Sequence, residues 1–295
     1  MIGKNNIAII GAGKISYSLT NALIKNGFIV SIIISKKIKS AKILAEKFQI
    51  NNFSNKLEDI PFNKGILFLA VPDNQIKIVS ENLSKLKFDF PNSIFIHLSG
   101  ALNISELNSL KKKKAQIASL HIMQTFPAKR IMDIINCYAA VETEDVRTKM
   151  LLFNLAKKLS LRPFEIKSSE KTFYHLAGTF ASNFLVGNIF NSEILLNSYN
   201  KKKINFCKII NPIVQSTLKN INRIGVSSAL SGPIERGDIQ TIRKHLSELK
   251  KKNKILYSSY IIQSLNLLEI VKVKLGELSE DHHKIKRLLE NAFKK

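Results

Sequence analysis

Glycines near the start of the chain are spaced as in a phosphate-binding turn. An apolar stretch ends at Ile10 and runs directly into Gly11-Ala12-Gly13-Lys14-Ile15-Ser16, after which apolar residues recur at helical spacing. Gly11 allows a tight turn, and Gly13 lets the backbone approach a pyrophosphate. The unpaired N–H groups at the start of the helix then attract the phosphates. We therefore predict a dinucleotide site, with a purely structural turn as the alternative; its residues are Gly11, Ala12, Gly13, Lys14 and Ile15.

The residues after the second apolar stretch indicate which dinucleotide binds. Residues 28–34 are typical of a buried strand, and the adenosine ribose is recognised at the end of such a strand, about 20 residues past the glycines. An Asp or Glu there would favour NAD, but the chain has Ser35-Lys36-Lys37. A hydroxyl and two ammonium groups suit a 2′-phosphate, so we predict NADP, held by Ser35 and Lys36. The alternative is that the lysines only solvate the start of a helix.

Polar or small residues follow three later apolar stretches. Val71-Pro72 ends one predicted strand, Ser99-Gly100 follows the next, and His121 follows a third. Ligands of open parallel sheets bind outside the carboxyl ends of the strands, so these positions should border the nicotinamide. We predict that Val71, Pro72, Ser99 and Gly100 contact the cofactor and that His121 contacts the substrate. Ordinary turn and capping chemistry is the alternative for each loop.

A stripe of polar side chains lies on a predicted helix that is otherwise apolar. Lys171, His175, Thr179 and Ser182 are spaced by four, four and three residues, so they share one helical face, with Asn183 beside it. A lone histidine on a helix is usually structural, but burying five polar groups without a purpose is costly. We predict that this stripe contributes to the active site.

A loop punctuated by glycine and proline provides a further candidate. Ser231-Gly232-Pro233 precedes Arg236, which is followed by Gly237. An arginine beside glycines can offer two parallel hydrogen bonds to a carboxylate, so we predict that Arg236 binds substrate. A simple corner between helices is the alternative.

The elements that must position these residues change in character along the chain. Apolar stretches alternate with helical patterns up to residue 166, which predicts a doubly wound, mostly parallel α/β sheet. From residue 167 onward long helical patterns follow one another with few glycines or prolines. We predict a dinucleotide-binding domain over residues 1–166 and an all-α domain for substrate and dimerisation over residues 167–295.

Composition excludes several classes of protein. The net charge of +24 invites a nucleic-acid hypothesis, but lysines are spread over the whole chain and no nucleic-acid motif accompanies them. The cysteines, Cys137 and Cys207, have no pairing or metal-ligand spacing, so we expect reduced thiols and no metal. No apolar run approaches the length of a membrane span. We expect a cytoplasmic enzyme without nucleic-acid or membrane partners.

The combination of these motifs resembles one family. The relevant segments are Gly11-Ala12-Gly13, Val71-Pro72-Asp73, His97-Leu98-Ser99-Gly100-Ala101, Ser119-Leu120-His121, Tyr174-His175 to Ala181-Ser182-Asn183, and Ser231-Gly232-Pro233 with Arg236-Gly237-Asp238. Together they resemble Rossmann-like NADP oxidoreductases with a helical C-terminal domain of formerly unknown function. Those proteins are similar in architecture to pyrroline-5-carboxylate reductases and 6-phosphogluconate dehydrogenases, and one branch is an alternative ketopantoate reductase. The chain departs from the family at Ile122, where Pro is common.

The resemblance implies hydride transfer from NADPH to a small, anionic keto acid in a cleft between the domains, with ketopantoate as the leading substrate. Reduction of a ketone needs a proton donor, and we predict His175 first and Lys171 second. Asn183 and Ser182, with Thr179 on the same helix, would orient the substrate. The carboxylate would be held by His121, Ser99 or Arg236.

Other functions stay open from the sequence. A cyclic imine such as pyrroline-5-carboxylate is the alternative substrate, and a non-catalytic NADP-binding protein is the alternative class. A homodimer through the helical domain is expected, because such domains often bury apolar faces against a second copy.

Overall fold

The computed structural model describes residues 6–198 and 205–294 of the chain. It separates into two compact units, Met1–Leu185 and Val186–Lys295. The predicted boundary near residue 167 marks the place where strands give way to helices. The units divide later, because Lys171 and Tyr174 make their side-chain contacts with strands of the first unit.

The first unit is built on one eight-stranded sheet. Its strands are β1 (Ile7–Ile10), β2 (Val30–Ile34), β3 (Phe53–Ser54), β4 (Ile66–Leu69), β5 (Ile94–His97), β6 (Gln116–Ile122), β7 (Tyr138–Glu142) and β8 (Arg162–Glu165). They lie in the order β3-β2-β1-β4-β5-β6-β7-β8, and every neighbouring pair is parallel except β6 with β7. This order is that of a doubly wound dinucleotide-binding sheet, so the predicted fold class is confirmed.

Helices cover both faces of the sheet, as the continuous apolar character of its central strands requires. They are α1 (Lys14–Lys25), α2 (Ile38–Lys47), α3 (Asp73–Leu83), α4 (Asn108–Lys111) and α5 (Val146–Lys158). One core layer packs α1, α2 and α5 against the sheet, and the other packs α3 and α4. Ile9 belongs to the first layer and its neighbour Ile10 to the second, because successive strand residues point to opposite faces.

The long helical segment that follows the sheet is not regular. It begins as α6 (Lys171–Gly178), widens into a π-helical turn (Thr179–Asn183) and continues as α7 (Phe184–Asn197). A π turn pairs each N–H with the fifth carbonyl before it, so it rotates the residues after it relative to an α-helix. The regular spacing predicted from Lys171 to Ser182 therefore holds as far as Thr179 and is altered between Thr179 and Ser182.

Within its described residues the second unit contains helices and turns but no strand. Its further helices are α8 (Phe206–Ile224), α9 (Val226–Ala229), α10 (Ile239–Lys252), α11 (Lys254–Leu275) and α12 (Glu280–Phe293). A core formed by Ile242, Ile261, Leu268, Ile285 and Leu289 holds α10, α11 and α12 together. In the part of the chain that the structure describes, no helix combines the length and the apolar character needed to cross a membrane.

Candidate active site

The glycine turn after β1 is shaped by close approach to β4. Gly11 has a φ of +116°, and a Cβ built on it would lie 2.1 Å from the carbonyl oxygen of Ala70. The backbone N–H of Gly11 donates to the carbonyl of Ile34 at 2.6 Å, which ties the turn to β2. The hydroxyl of Ser16, the third small residue of the pattern, donates to the carbonyl of Gly11 at 2.7 Å. Gly11 is thus required by the fold itself.

The start of α1 fits an anionic ligand. Gly13 is its N-cap residue, no side chain caps it, and its first turn holds no acidic residue. The N–H groups of Gly13, Lys14 and Ile15 have no partner within the helix, and together with the positive end of the helix dipole they can bind a pyrophosphate. A Cβ on Gly13 would meet only the Ala70 carbonyl oxygen, at 3.6 Å. The protein itself leaves room for a side chain at this position, so glycine is needed there only if a ligand approaches the backbone.

Basic side chains lie after the end of β2, at the predicted site for the adenosine ribose of the cofactor. Ser35 follows β2 directly, and Lys36 and Lys37 are exposed at the start of α2. The Nζ of Lys129, from the loop after β6, lies 3.4 Å from the hydroxyl of Ser40 in the same helix. Sequence reasoning missed Lys129, because 89 positions separate it from Ser40. A 2′-phosphate would meet positive charge here.

The turn after β5 is held by the hydroxyl of Ser99. That hydroxyl donates to the Asp73 carboxylate at 2.9 Å and accepts the backbone N–H groups of Ala101 and Leu102 at 3.2 and 3.0 Å. Asp73 opens α3 just after Val71-Pro72, so the loops after β4 and β5 are joined here. The Ser99 side chain thus shapes the turn that was predicted to border the nicotinamide.

Gly100 and His121 lie directly against each other. A Cβ on Gly100 would be 2.7 Å from Nε2 of His121, so only glycine leaves room for the ring. His121 lies inside β6, which extends to Ile122, and not after the strand as predicted. The structure therefore brings these two predicted site residues together.

His121 is paired with a tyrosine to which sequence reasoning gave no role. Its Nδ1 lies 2.8 Å from the Tyr174 hydroxyl, and the two rings are perpendicular with centroids 5.4 Å apart. Burial, followed by the charges of Lys171 and His175, lowers the pKa of His121 to about 4. Burial also raises the pKa of Tyr174 to about 12. Both groups are neutral at pH 7, so the pair can offer hydrogen bonds without charge.

Lys171, a predicted proton donor, is buried. Its Nζ donates to the Glu142 carboxylate at 3.0 Å, the Ser119 hydroxyl at 2.8 Å and the Ser99 carbonyl at 3.3 Å. Burial lowers the pKa of Lys171, and the neighbouring Glu142 carboxylate acts in the opposite direction. All three donor positions of the ammonium group are thus directed at protein acceptors.

The other predicted residues of the helix are more accessible. His175 and Asn183 are exposed, and Thr179 and Ser182 are half-buried. The Thr179 hydroxyl donates to the His175 carbonyl at 3.1 Å, within the stretch where the helix changes from α to π. Such π turns are frequent at functional sites.

Arg236 belongs to the second unit. It is exposed in the turn that precedes α10, beside Gly237, whose φ is +71°. Its neighbour Glu235 forms an ion pair with Lys274 at 2.9 Å, so that ion pair does not include the Arg236 guanidinium. The predicted role of Arg236 in binding substrate stays a prediction.

Two family models match the chain. Residues 6–97 match the family described as NADP oxidoreductase, coenzyme F420-dependent, and residues 137–262 match a domain of unknown function, DUF2520. The first match covers the glycine turn, the end of β2 and β5, and the second covers β7 and the helix with Tyr174 and His175. None of the curated proteins matches the chain.

Solved structures share the fold over most of the chain. A Bacteroides fragilis protein named as a candidate NADP oxidoreductase is 23% identical with a TM-score of 0.77, over 90% of this chain and 98% of that one. A Thermotoga maritima protein is 26% identical with a TM-score of 0.67, over 91% and 99%. A pyrroline-5-carboxylate reductase from Coxiella burnetii is 17% identical with a TM-score of 0.57, over 90% and 99%.

Proposed function

We propose that this chain, whose residues 6–97 match the NADP oxidoreductase family, reduces a small keto acid, with ketopantoate as the leading candidate. The observation that carries the proposal is the meeting of His121, Tyr174 and the Ser99-Gly100 turn at the carboxyl edge of the sheet, with His175 one residue further along α6. NADPH supplies the hydride that a carbonyl carbon accepts. The protein must then orient the carbonyl and deliver a proton to its oxygen.

We propose that His175 donates this proton. Its side chain is exposed, whereas Lys171 is buried and donates to three protein acceptors. Histidine is the side chain most often used as a general acid, and an exposed ring can recover its proton from solvent. The neutral pair of His121 and Tyr174 would hold the substrate oxygen through hydrogen bonds.

We propose that the remaining polar residues of the helix orient the substrate. Thr179, Ser182 and Asn183 follow His175 in the π turn and can donate to a hydroxyl or carbonyl. The sequence prediction that Arg236 binds a carboxylate rests on its guanidinium alone, which offers two parallel donors. The Ser99 hydroxyl is less suited, because it already binds Asp73 and two backbone N–H groups.

The test is NADPH oxidation with ketopantoate and pyrroline-5-carboxylate measured side by side. Turnover of ketopantoate, lowered at least tenfold by Tyr174→Phe, is the expected result. Tyr260→Phe is the matched control, because the Tyr260 hydroxyl lies 3.0 Å from His245 in a similar perpendicular ring pair within the second unit. Unchanged turnover in Tyr174→Phe would remove the His121–Tyr174 pair from the mechanism.

Two other outcomes would replace the keto-acid reaction. Turnover of pyrroline-5-carboxylate alone would favour imine reduction, which needs less help from a protein acid and is the activity named for the similar Coxiella structure. Tight NADPH binding without turnover of any keto acid or imine would favour a non-catalytic NADP-binding protein.

We also propose that two copies associate through the helices α7 and α8. Within the described residues neither helix buries any side chain, although large apolar patches are rarely left open in monomers. The exposed apolar residues include Phe184, Val186, Phe190, Ile209, Ile213 and Leu218. Sedimentation should give twice the mass of one chain, and Ile213→Asp should shift it to the monomer. We expect this dimer in the cytoplasm and without nucleic acid, so no DNA affinity should be measured at physiological salt. Salt-dependent DNA affinity would instead indicate a nucleic-acid binder.

A further inference from the structure

Three buried polar residues form a row across the sheet on adjacent strands. His97 of β5 is in register with Ser119 of β6, and Ser119 is in register with Glu142 of β7. Residues in register point to the same face, so the three side chains are neighbours. All are buried, and Glu142 is only 3% exposed. A buried carboxylate is unfavourable unless it is paired and hydrogen-bonded.

Glu142 is fully engaged. One carboxylate oxygen accepts from the Lys171 ammonium at 3.0 Å and from the Ser119 hydroxyl at 3.2 Å. The other accepts from the backbone N–H of Ile104 at 3.3 Å and from the Ser168 hydroxyl. The carboxylate thus joins β6, the turn before α4 and the start of α6.

Lys171 transmits this anchoring to the active site through a two-point contact. On α6, Lys171 and Tyr174 are three residues apart and lie on one face. On β6, Ser119 and His121 are two residues apart and also share one face. Lys171 contacts Ser119 while Tyr174 contacts His121, so the first contact determines where the second can form. Lys171 also donates to the Ser99 carbonyl, next to Gly100.

We propose that Glu142 and Lys171 are positioning residues, and that Lys171 is not the proton donor: their buried ion pair places α6 and the Ser99-Gly100 turn around His121. This inference rests on the proposed reductase function for its kinetic consequences only. The ammonium charge has a second effect, because it contributes to the lowered pKa of His121. The pair therefore holds the His121 ring in place, while burial, with the Lys171 charge adding to it, keeps the ring neutral.

The first test needs neither substrate nor cofactor. We expect Lys171→Met to raise the pKa of His121 from about 4 towards its ordinary 6.5, as measured from the ring signals of His121 in a pH titration by NMR. The other groups that face His121 are Tyr174 and His175 from α6 and His97 from β5, and the variant leaves them in place. An ion pair that stabilises the fold away from His121 would not move this pKa.

The second test is kinetic. Glu142→Gln should lower kcat at least tenfold while the Kd for NADPH changes less than threefold, with the same loss at every pH. A proton-donating Lys171 would instead shift the basic limb of the pH profile, because Glu142 raises the pKa of Lys171. The double variant Lys171→Met with Glu142→Gln leaves no unpaired buried charge, so it should fold but remain slow.

The matched control is an ion pair of the same length at the surface. Lys149 and Glu165 are 3.0 Å apart and partly exposed, so Lys149→Met and Glu165→Gln should leave both the His121 titration and turnover unchanged. An unchanged His121 pKa in Lys171→Met, or wild-type turnover in the folded double variant, would overturn the proposal. If no substrate is turned over, the proposed function fails, while the His121 titration still decides the electrostatic part of the positioning role.

Discussion

The two glycines of the turn after β1 should respond differently to the same substitution. Gly11→Ala should damage the fold, whereas Gly13→Ala should damage cofactor binding and leave the fold nearly intact. The prediction follows from what a Cβ would meet at each position: the Ala70 carbonyl oxygen at 2.1 Å for Gly11, and the same atom at 3.6 Å for Gly13.

The cost at Gly11 has two parts. Its φ of +116° lies where L-residues are strained, at about 1–3 kcal/mol. The contact with a backbone oxygen cannot be relieved by rotating a side chain, and overpacking of this kind adds about 1–3 kcal/mol. The sum, about 2–6 kcal/mol, corresponds to a fall in Tm of roughly 5–20 °C for a domain of this size.

The cost at Gly13 falls on the ligand. Its φ of −82° and ψ of −171° are open to alanine, so the free energy of unfolding should drop by about 1 kcal/mol or less, as for a poorer N-cap residue. A methyl group there stands where the pyrophosphate approaches the backbone. We expect the Kd for NADPH to rise at least tenfold, which is about 1.4 kcal/mol.

The assay is thermal unfolding together with a fluorescence titration of NADPH for each variant. Gly27→Ala separates strain from contact, because Gly27 has a φ of +74° but no atom within 4 Å of a built Cβ. The free energy of unfolding of Gly27→Ala should fall by about 1–2 kcal/mol, and this variant should bind NADPH normally. Normal NADPH binding by Gly13→Ala, or an unchanged Tm for Gly11→Ala, would show that the reasoning is wrong.

Three further changes have defined outcomes. Lys36→Glu should weaken NADPH binding at least tenfold with little effect on NADH binding. Lys47→Glu, at the other end of α2, should leave the affinities for both cofactors unchanged. Competition titrations measure both affinities. His175→Ala should lower kcat for ketopantoate at least a hundredfold without lowering Tm, and equal turnover in the variant would rule out His175 as the acid. Burial, followed by the Lys171 charge, lowers the pKa of His97 from 6.5 to about 3, so its contribution to stability is complete above pH 6.5 and is lost as the pH falls towards 3. Over that range His97 should change the free energy of unfolding by about 1.4 kcal/mol per pH unit. Urea unfolding of His97→Gln at several pH values should show that this contribution is missing.

Local patterns were enough to predict the nucleotide-binding half. The turn at Gly11 depends on a few consecutive residues, and its strand and helix have periodicities of two and 3.6 that can be read directly. The alternation that follows predicted the doubly wound sheet, and the sheet order and the match to NADP oxidoreductases confirm both the fold and the cofactor.

The surroundings of the helix from Lys171 to Asn183 were harder to foresee. Its polar spacing predicted one continuous face, but the chain forms a π turn at Thr179. A helical pattern does not reveal that the Lys171 ammonium is buried, because its acceptors lie on other elements. The only available signal for Glu142 was a single carboxylate at the end of an otherwise apolar strand.

The sequence by itself determined the cofactor class, the order of strands and helices, and the set of polar residues from which a site could be assembled. Only the tertiary structure decided which of them work together. His121 and Tyr174 are 53 positions apart and Lys171 and Glu142 are 29 apart, and such pairs form only when the sheet sets their strands side by side. Spacing along a chain specifies local geometry, whereas burial and ionisation depend on every element that packs around a group.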